Sequence, residues 1–253
     1  MIETRPLAFL EIERASFAFD AGHPVVDGID WSIEQGEFHC LLGRSGCGKT
    51  TLLKLVAGLL EPNTGSICLQ GERVHRPGRT MGFVFQSPTL LEWRSVIDNV
   101  VLPLSLHHRI GPEDIDKAQH LLELVGLGAL GARFPRELSG GQQSRVAIAR
   151  ALICDPCALL MDEPFSSLDA ITREELQDDL LTLCGHSQTT VLFVTHDIAE
   201  AAYLADRIAV MHQGQLIHQE AVAMPRPRVA EIRFSNEFRN LCRDLHDAMR
   251  TST

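Results

Sequence analysis

No apolar stretch in this chain approaches the roughly 20 residues that a bilayer-spanning helix needs. The most hydrophobic runs, at 52–60 and 158–161, are short or carry Lys54 and Gly58. The opening MIETRPLAFLEIERAS has acids where a secretory signal would have its basic and apolar regions. There is no Lys/Arg block, and the formal net charge is −10. That weighs against a nucleic-acid partner and against direct adhesion to anionic lipid. Low-complexity tracts and internal repeats are missing as well. The seven cysteines are an odd count, and only Cys154-Asp155-Pro156-Cys157 has suggestive spacing. No second CxxC or HxxxH partners it, so reduced structural thiols are expected in place of a redox or zinc site. These absences lead us to expect a cytoplasmic protein that reaches a membrane only through a protein partner.

What remains is a 253-residue chain of ordinary soluble composition, long enough for one large α/β domain or two small ones. Residues 7–19 alternate loosely as a strand, and 25–42 suggest two more. The run Phe38-His39-Cys40-Leu41-Leu42 stops at Gly43 in a glycine-rich turn, and 50–60 then has helical spacing. The middle, 88–157, reads as a helical insertion, with one helix carrying Ile115, Ala118, Leu121, Leu122 and Val125 and another over 140–153. Apolar strands return at 158–161 and 191–195, separated by a helix over about 170–183; this suits a mostly parallel, covered sheet. A hairpin is expected at 208–211 and 215–218 around Gly214, and a packing helix over 236–250.

Three segments carry chemistry. Gly43-Arg44-Ser45-Gly46-Cys47-Gly48-Lys49-Thr50 fits the phosphate-binding loop G-x₄-G-K-[ST]. Its glycines let successive N–H groups curl around phosphate oxygens, and the helix that follows points its positive end at the same anion. Lys49 would reach the β- and γ-phosphates and the Thr50 hydroxyl would ligate Mg²⁺. The bland alternative is a glycine-rich turn with an exposed lysine. Ala158-Leu159-Leu160-Met161-Asp162-Glu163 is an apolar strand ending in two carboxylates, which packing alone does not favour. Asp162 would hold Mg²⁺ through water, and Glu163 would orient or deprotonate the attacking water. Leu138-Ser139-Gly140-Gly141-Gln142 opens a helix with a hydroxyl and backbone donors, a second anion site of the same physical kind. Two such sites with one nucleotide loop make sense if each completes the other's in a dimer.

With these motifs in this order, the chain resembles the ABC ATPase family over nearly its whole length. The resemblance implies a P-loop α/β core with an antiparallel β subdomain and an inserted α-helical subdomain. It implies nucleotide contacts through Thr51 as well as the loop, and an adenine-stacking aromatic at Phe19, with Phe17 as a rival and a core strand position as the alternative. Gln86, after Phe83-Val84-Phe85, matches the glutamine that senses Mg²⁺ and the attacking water. Ser167-Leu168-Asp169 matches the segment that crosses the dimer interface. His196 matches the histidine that contacts the γ-phosphate, although a lone His after a strand is usually structural. A finer resemblance, carried by Leu90-Leu91-Glu92-Trp93-Arg94-Ser95-Val96 and Asp98-Asn99-Val100, is to the nitrate/sulfonate/taurine-type importer ATPases, whose relatives move thiamine precursors or bicarbonate. Glu92 and Ser144 depart from that subgroup, the first where a proline is usual and the second where a long polar residue is.

The expected organisation is a single ATPase domain. Its α/β core spans 1–87 and 158–225, the signature subdomain 88–157 and a C-terminal helical extension 226–253. Two copies would sandwich two ATP molecules head to tail with Mg²⁺, each site pairing one chain's P-loop with the other's Ser139 segment. Separate membrane permease subunits would dock near 86–96, with Trp93 as anchor unless it belongs to the core. A periplasmic or extracellular solute-binding protein would act indirectly, with the ATPase on the cytoplasmic face of the inner membrane. The rivals are a cassette partnered with a lipid- or lipoprotein-extracting complex, and a soluble ABC ATPase that moves no solute.

Overall fold

The computed structural model describes residues 8–250 apart from 21 and 188. Leu7, the first residue of the expected strand over 7–19, lies outside the described residues. In chain order the elements are β1 (Leu10–Phe17), β2 (Val26–Ile33), β3 (Phe38–Leu42), α1 (Lys49–Val56), β4 (Thr64–Leu69), β5 (Glu72–Arg73) and β6 (Met81–Val84). Then come α2 (Val96–Val100), α3 (Leu102–Ser105), α4 (Pro112–Leu124), α5 (Gly140–Leu152), β7 (Ala158–Asp162) and α6 (Ala170–Ser187). The chain closes with β8 (Thr190–Thr195), α7 (Ile198–Leu204), β9 (Arg207–His212), β10 (Gln215–Ala221) and α8 (Asn236–Arg250). These form two compact units, residues 1–78 with 190–253, and residues 79–189.

In the first unit an antiparallel sheet runs in the order β2-β1-β4-β5. A second sheet places β3 between parallel β8 and β9, with β10 antiparallel on β9. Every residue of β3 and of β8 is buried, so these strands are continuous apolar runs, as a sheet covered on both faces requires. The register sets Leu42 opposite Thr195, so β3 and β8 end level. Gly43 and His196 therefore leave the same carboxyl edge. Helix α1 ends at Val56, short of the expected residue 60. Gly58 follows at φ +68°, and a Cβ there would lie 2.6 Å from the Arg76 carbonyl carbon. The chain turns because only glycine fits that approach. The C-terminal segment packs back on this unit: Arg228 donates to the Tyr203 and Ala205 carbonyls at 3.2 and 2.8 Å. Phe238, Leu241 and Leu245 of α8 are buried.

In the second unit β6 runs parallel to β7 with Val84 opposite Met161. Helices α2 to α5 close over an apolar cluster that includes Val96, Val100, Leu122, Val146 and Ile153. Gly82 is tied to this packing, since a Cβ there would meet the Ala151 carbonyl oxygen at 2.5 Å. The expected helical insertion is thus present, while β4, β5 and β6 are strands that the apolar patterning did not reveal.

Candidate functional site

The first unit supplies the glycine loop. It leaves buried β3 and turns into α1, whose N-cap is Gly48 at φ +109°. No side chain caps this helix and its first turn carries no acid, so the positive end of α1 stays available to an anion. Two contacts explain the glycines. A Cβ on Gly48 would lie 2.3 Å from the Val25 carbonyl oxygen, and one on Gly43 would lie 2.5 Å from that of Met211. The β9–β10 turn braces the loop, since Gly214 N–H donates to the Cys47 carbonyl at 3.1 Å. Lys49 is 4% exposed, and its Nζ donates to the Gly43 and Arg44 carbonyls at 2.8 and 3.1 Å. Its charge is thereby kept at the loop, as a phosphate ligand requires.

His196 leaves the neighbouring strand end, exposed, immediately before α7. Asp197 caps α7 by accepting from Ala199 N–H at 2.8 Å and Glu200 N–H at 3.2 Å. Behind it, the Thr195 hydroxyl donates to buried Glu200 at 2.6 Å and accepts from Asp197 N–H at 2.9 Å. This lattice fixes the backbone on which His196 sits. Phe19 is 65% exposed and meets buried Phe17 edge-on, with ring centroids 5.0 Å apart. Phe17 is pinned inside β1 opposite Val26, so Phe19 is the more exposed of the two rings.

The second unit supplies the acids. All five residues of β7 are buried, and Asp162 at its end is 6% exposed. Glu163 follows in the left-handed region at φ +44°, an uncommon conformation for a non-glycine residue. Because β6 and β7 are parallel and in register, exposed Gln86 leaves the same edge as Asp162 and Glu163. Ser139 caps α5: its Oγ accepts from Gln142 N–H at 3.3 Å, and Gln142 Oε1 accepts from Ser139 N–H at 2.9 Å. The serine hydroxyl proton remains available for an acceptor. A Cβ on Gly141 would lie 2.6 Å from Thr172 Cγ2, so any larger residue there forces Thr172 to move. Asp169, exposed, accepts from Thr172 N–H at 3.1 Å, and that backbone donor, followed by the Thr172 side chain, holds its carboxyl below the usual range. Ser144 is buried, so its departure from the subgroup points into the unit and not toward a partner.

Comparison with known proteins places this geometry. The family model described as ABC transporter matches residues 26–166, more than half of the chain. The chain belongs to the ABC transporter family. It is an ATP-binding, ATP-hydrolysing subunit with the ABC ATPase fold. Among curated relatives, the nitrate import ATP-binding protein NrtD of Synechococcus elongatus is 46% identical over 191 residues, 75% of this chain and 70% of that one. The aliphatic sulfonates import ATP-binding protein SsuB of Bacillus thuringiensis is 46% identical over 187 residues, 74% and 73% respectively. Among solved structures, a dimeric ATP-binding cassette in a post-hydrolysis state bound to ADP and Pi superposes with a TM-score of 0.77 at 29% identity. It covers 85% of this chain and all of that one. The cbiO1 protein from Clostridium perfringens, part of the transporter complex cbiONQ, reaches 0.79 at 26% identity over 96% and 98%.

The cassette also carries structural roles that motif reading did not assign, one of them at Asn99 of the Asp98-Asn99-Val100 motif. Asn99 is completely buried in α2, where its side chain accepts from Leu91 N–H at 2.7 Å. Its amide nitrogen lies 3.1, 3.2 and 2.9 Å from the carbonyls of Leu91, Arg94 and Ser95. Arg150 donates to the Pro88 and Thr89 carbonyls at 2.7 and 2.9 Å. Together they clamp the loop after Gln86 and leave Trp93 75% exposed, which removes the alternative of Trp93 as core. The seven cysteines are free thiols, and burial pushes Cys154 and Cys157 above the ordinary range. Among the described residues no helix is long and apolar enough to cross a membrane.

Proposed function

We propose that this ATPase energises import of a small solute of the nitrate or sulfonate class through separately encoded membrane subunits. The support is its 46% identity to importer ATPases named for those solutes, across about three quarters of its length. Lys49 and the N–H groups of residues 43–51 bind the phosphates, and Phe19 stacks on adenine. Glu163 orients or deprotonates the attacking water, Gln86 aligns it, and His196 contacts the γ-phosphate. Thr50, Gln86 and Asp162 offer hydroxyl, amide and carboxylate oxygens, a hard donor set that suits Mg²⁺. No group of three His, Cys, Asp or Glu that could hold a metal occurs among the described residues. That fits an ion held by one carboxylate and by substrate phosphates, as Mg²⁺ usually is. When bound, it neutralises charge developing on the phosphates.

Two copies form the working unit. Ser139, Gly140, Gly141 and Gln142 of one face the phosphate loop of the other, with Asp169 at the interface. Permease subunits dock against 86–96, where Trp93 has the make-up of an interface anchor. They hold the dimer on the cytoplasmic side of the inner membrane, and a solute-binding protein delivers cargo from outside. The observation that carries the hydrolytic reading is Glu163 in a strained conformation at the tip of a buried strand beside Asp162. Its test is Glu163→Gln, which retains ATP binding but slows hydrolysis about 100-fold or more. ATP then doubles the mass in solution. Hydrolysis at the wild-type rate would remove Glu163 from the role.

A further inference from the structure

A cleft of about 380 Å³ lies within the second unit, between the C-terminal ends of α4 and α5 and the later half of α6. Its volume falls within the ordinary range of small-molecule sites. Its apolar walls are Leu121, Leu124, Leu152, Leu183 and Pro156, none of them among the residues proposed for the nucleotide chemistry. Two carboxylates complete the lining, Asp155 and Asp179. Each is one half of an ion pair, Asp155 with Lys117 and Asp179 with Arg145, the latter at 2.5 Å. Of each pair, the carboxylate lines the cleft and the cation does not.

We propose that this cleft binds a small amphiphile whose alkyl part fills the leucine-lined floor and whose single cationic head is held by Asp179 and Asp155. The charged groups on the lining are both carboxylates, each with its own cation to one side, so an anionic molecule meets like charge there while a cationic head adds a second partner. A primary ammonium supplies up to three donors, and a carboxylate already paired with one cation keeps lone pairs that can accept them. Asp179 favours such a ligand further, because burial, with Asp178 and Glu175 close by, raises its carboxyl above the usual range despite Arg145. A second cation relieves that strain. The site also touches the signature helix: Arg145 belongs to α5 and donates to the Val125 carbonyl at 2.9 Å as well as to Asp179. A head group on Asp179 therefore bears on the residue that ties α5 to α4 and α6. This proposal is independent of the transported solute and of the permease.

The test uses the full chain and three probes of equal chain length: octylammonium, octanoate and octan-1-ol, each below its aggregation range, with binding followed by titration calorimetry. Octylammonium is expected to bind at least tenfold more tightly than octanol, and octanoate more weakly still. Thr182→Trp alters an exposed residue of the lining and leaves every charge in place. It should fill the cleft and abolish octylammonium binding. Asp179→Asn should keep octanol binding and lose most of the preference for the ammonium. Equal binding of all three probes overturns the proposal. So does octylammonium binding that survives Thr182→Trp in a protein of unchanged melting temperature, because that is adsorption to an acidic surface.

Discussion

Replacing Asn99 by leucine keeps the number and branching of the side-chain heavy atoms and removes every polar contact it makes. The amide group has three carbonyls within 3.2 Å but only two hydrogens, so at most two donated bonds form at once. With the bond accepted from Leu91 N–H, three hydrogen bonds are lost. At about 1 kcal/mol net for each, the cost is about 3 kcal/mol. It is that large because the residue is fully buried, so the orphaned groups of residues 91–95 regain water only if the loop opens. The assay is urea unfolding of Asn99→Leu against wild type at matched ATP-free conditions, read by far-UV circular dichroism. The midpoint should fall with the slope unchanged, the signature of lost stability without a new unfolded state. A parallel titration against permease-containing membranes should lose affinity, since Trp93 stands on the loop that Asn99 holds, while basal hydrolysis by the isolated subunit changes little. A loss under about 0.5 kcal/mol would show that the loop is held by something else.

The other expectations are more direct. Lys49→Ala should abolish ATP binding, measured by fluorescent nucleotide titration, whereas Glu163→Gln should not. Mixing Ser139→Arg with Lys49→Ala should restore hydrolysis that neither homodimer shows, because one composite site in the mixed dimer is intact; full activity in an isolated monomer would rule out the shared site. Gly141→Ala should destabilise the protein by roughly 1–3 kcal/mol, the scale for forced overpacking, and Thr172→Ser, which removes the Cγ2 that the new Cβ would strike 2.6 Å away, should recover most of it. His39 is buried, and desolvation lowers its pKa although the Glu37 carboxylate 2.6 Å away opposes the shift. A histidine pKa lowered on folding means the unfolded chain binds the proton first, so this contribution is complete above about pH 6.5 and is lost as pH falls through the lowered value. His39→Gln should flatten that part of the urea midpoint–pH curve relative to wild type.

The phosphate loop, the paired acids and the Ser-Gly-Gly turn were legible in sequence for a physical reason. Binding an anion or a hard cation demands particular groups at adjacent positions, and adjacency survives in a string of letters. The covered strands were legible because burial on both faces leaves a continuous apolar run. Strand β4 was not, because only Ile67 and Leu69 of its six residues are buried and its pairing partner β1 lies far away in sequence. The end of α1 was misplaced by four residues although its stop is local: Leu59 and Leu60 continue the helical spacing, but Gly58 in the left-handed region at φ +68° ends the helix after Ala57. Composition does not separate Phe17 from Phe19, whereas the fold does: Phe17 is buried inside β1 and Phe19, beyond the end of that strand, is exposed. The clamps built by Asn99, Arg150 and the Thr195–Glu200 pair show where sequence reading stops. Each uses a common residue type, and its partners are backbone carbonyls or a single carboxylate, so nothing in the residue announces the role. Local motifs therefore name the chemistry of this ATPase, while the clamps beneath Trp93 and His196 are properties of tertiary contact; on the roles proposed for those two residues, substitutions in the clamps should separate coupling from catalysis.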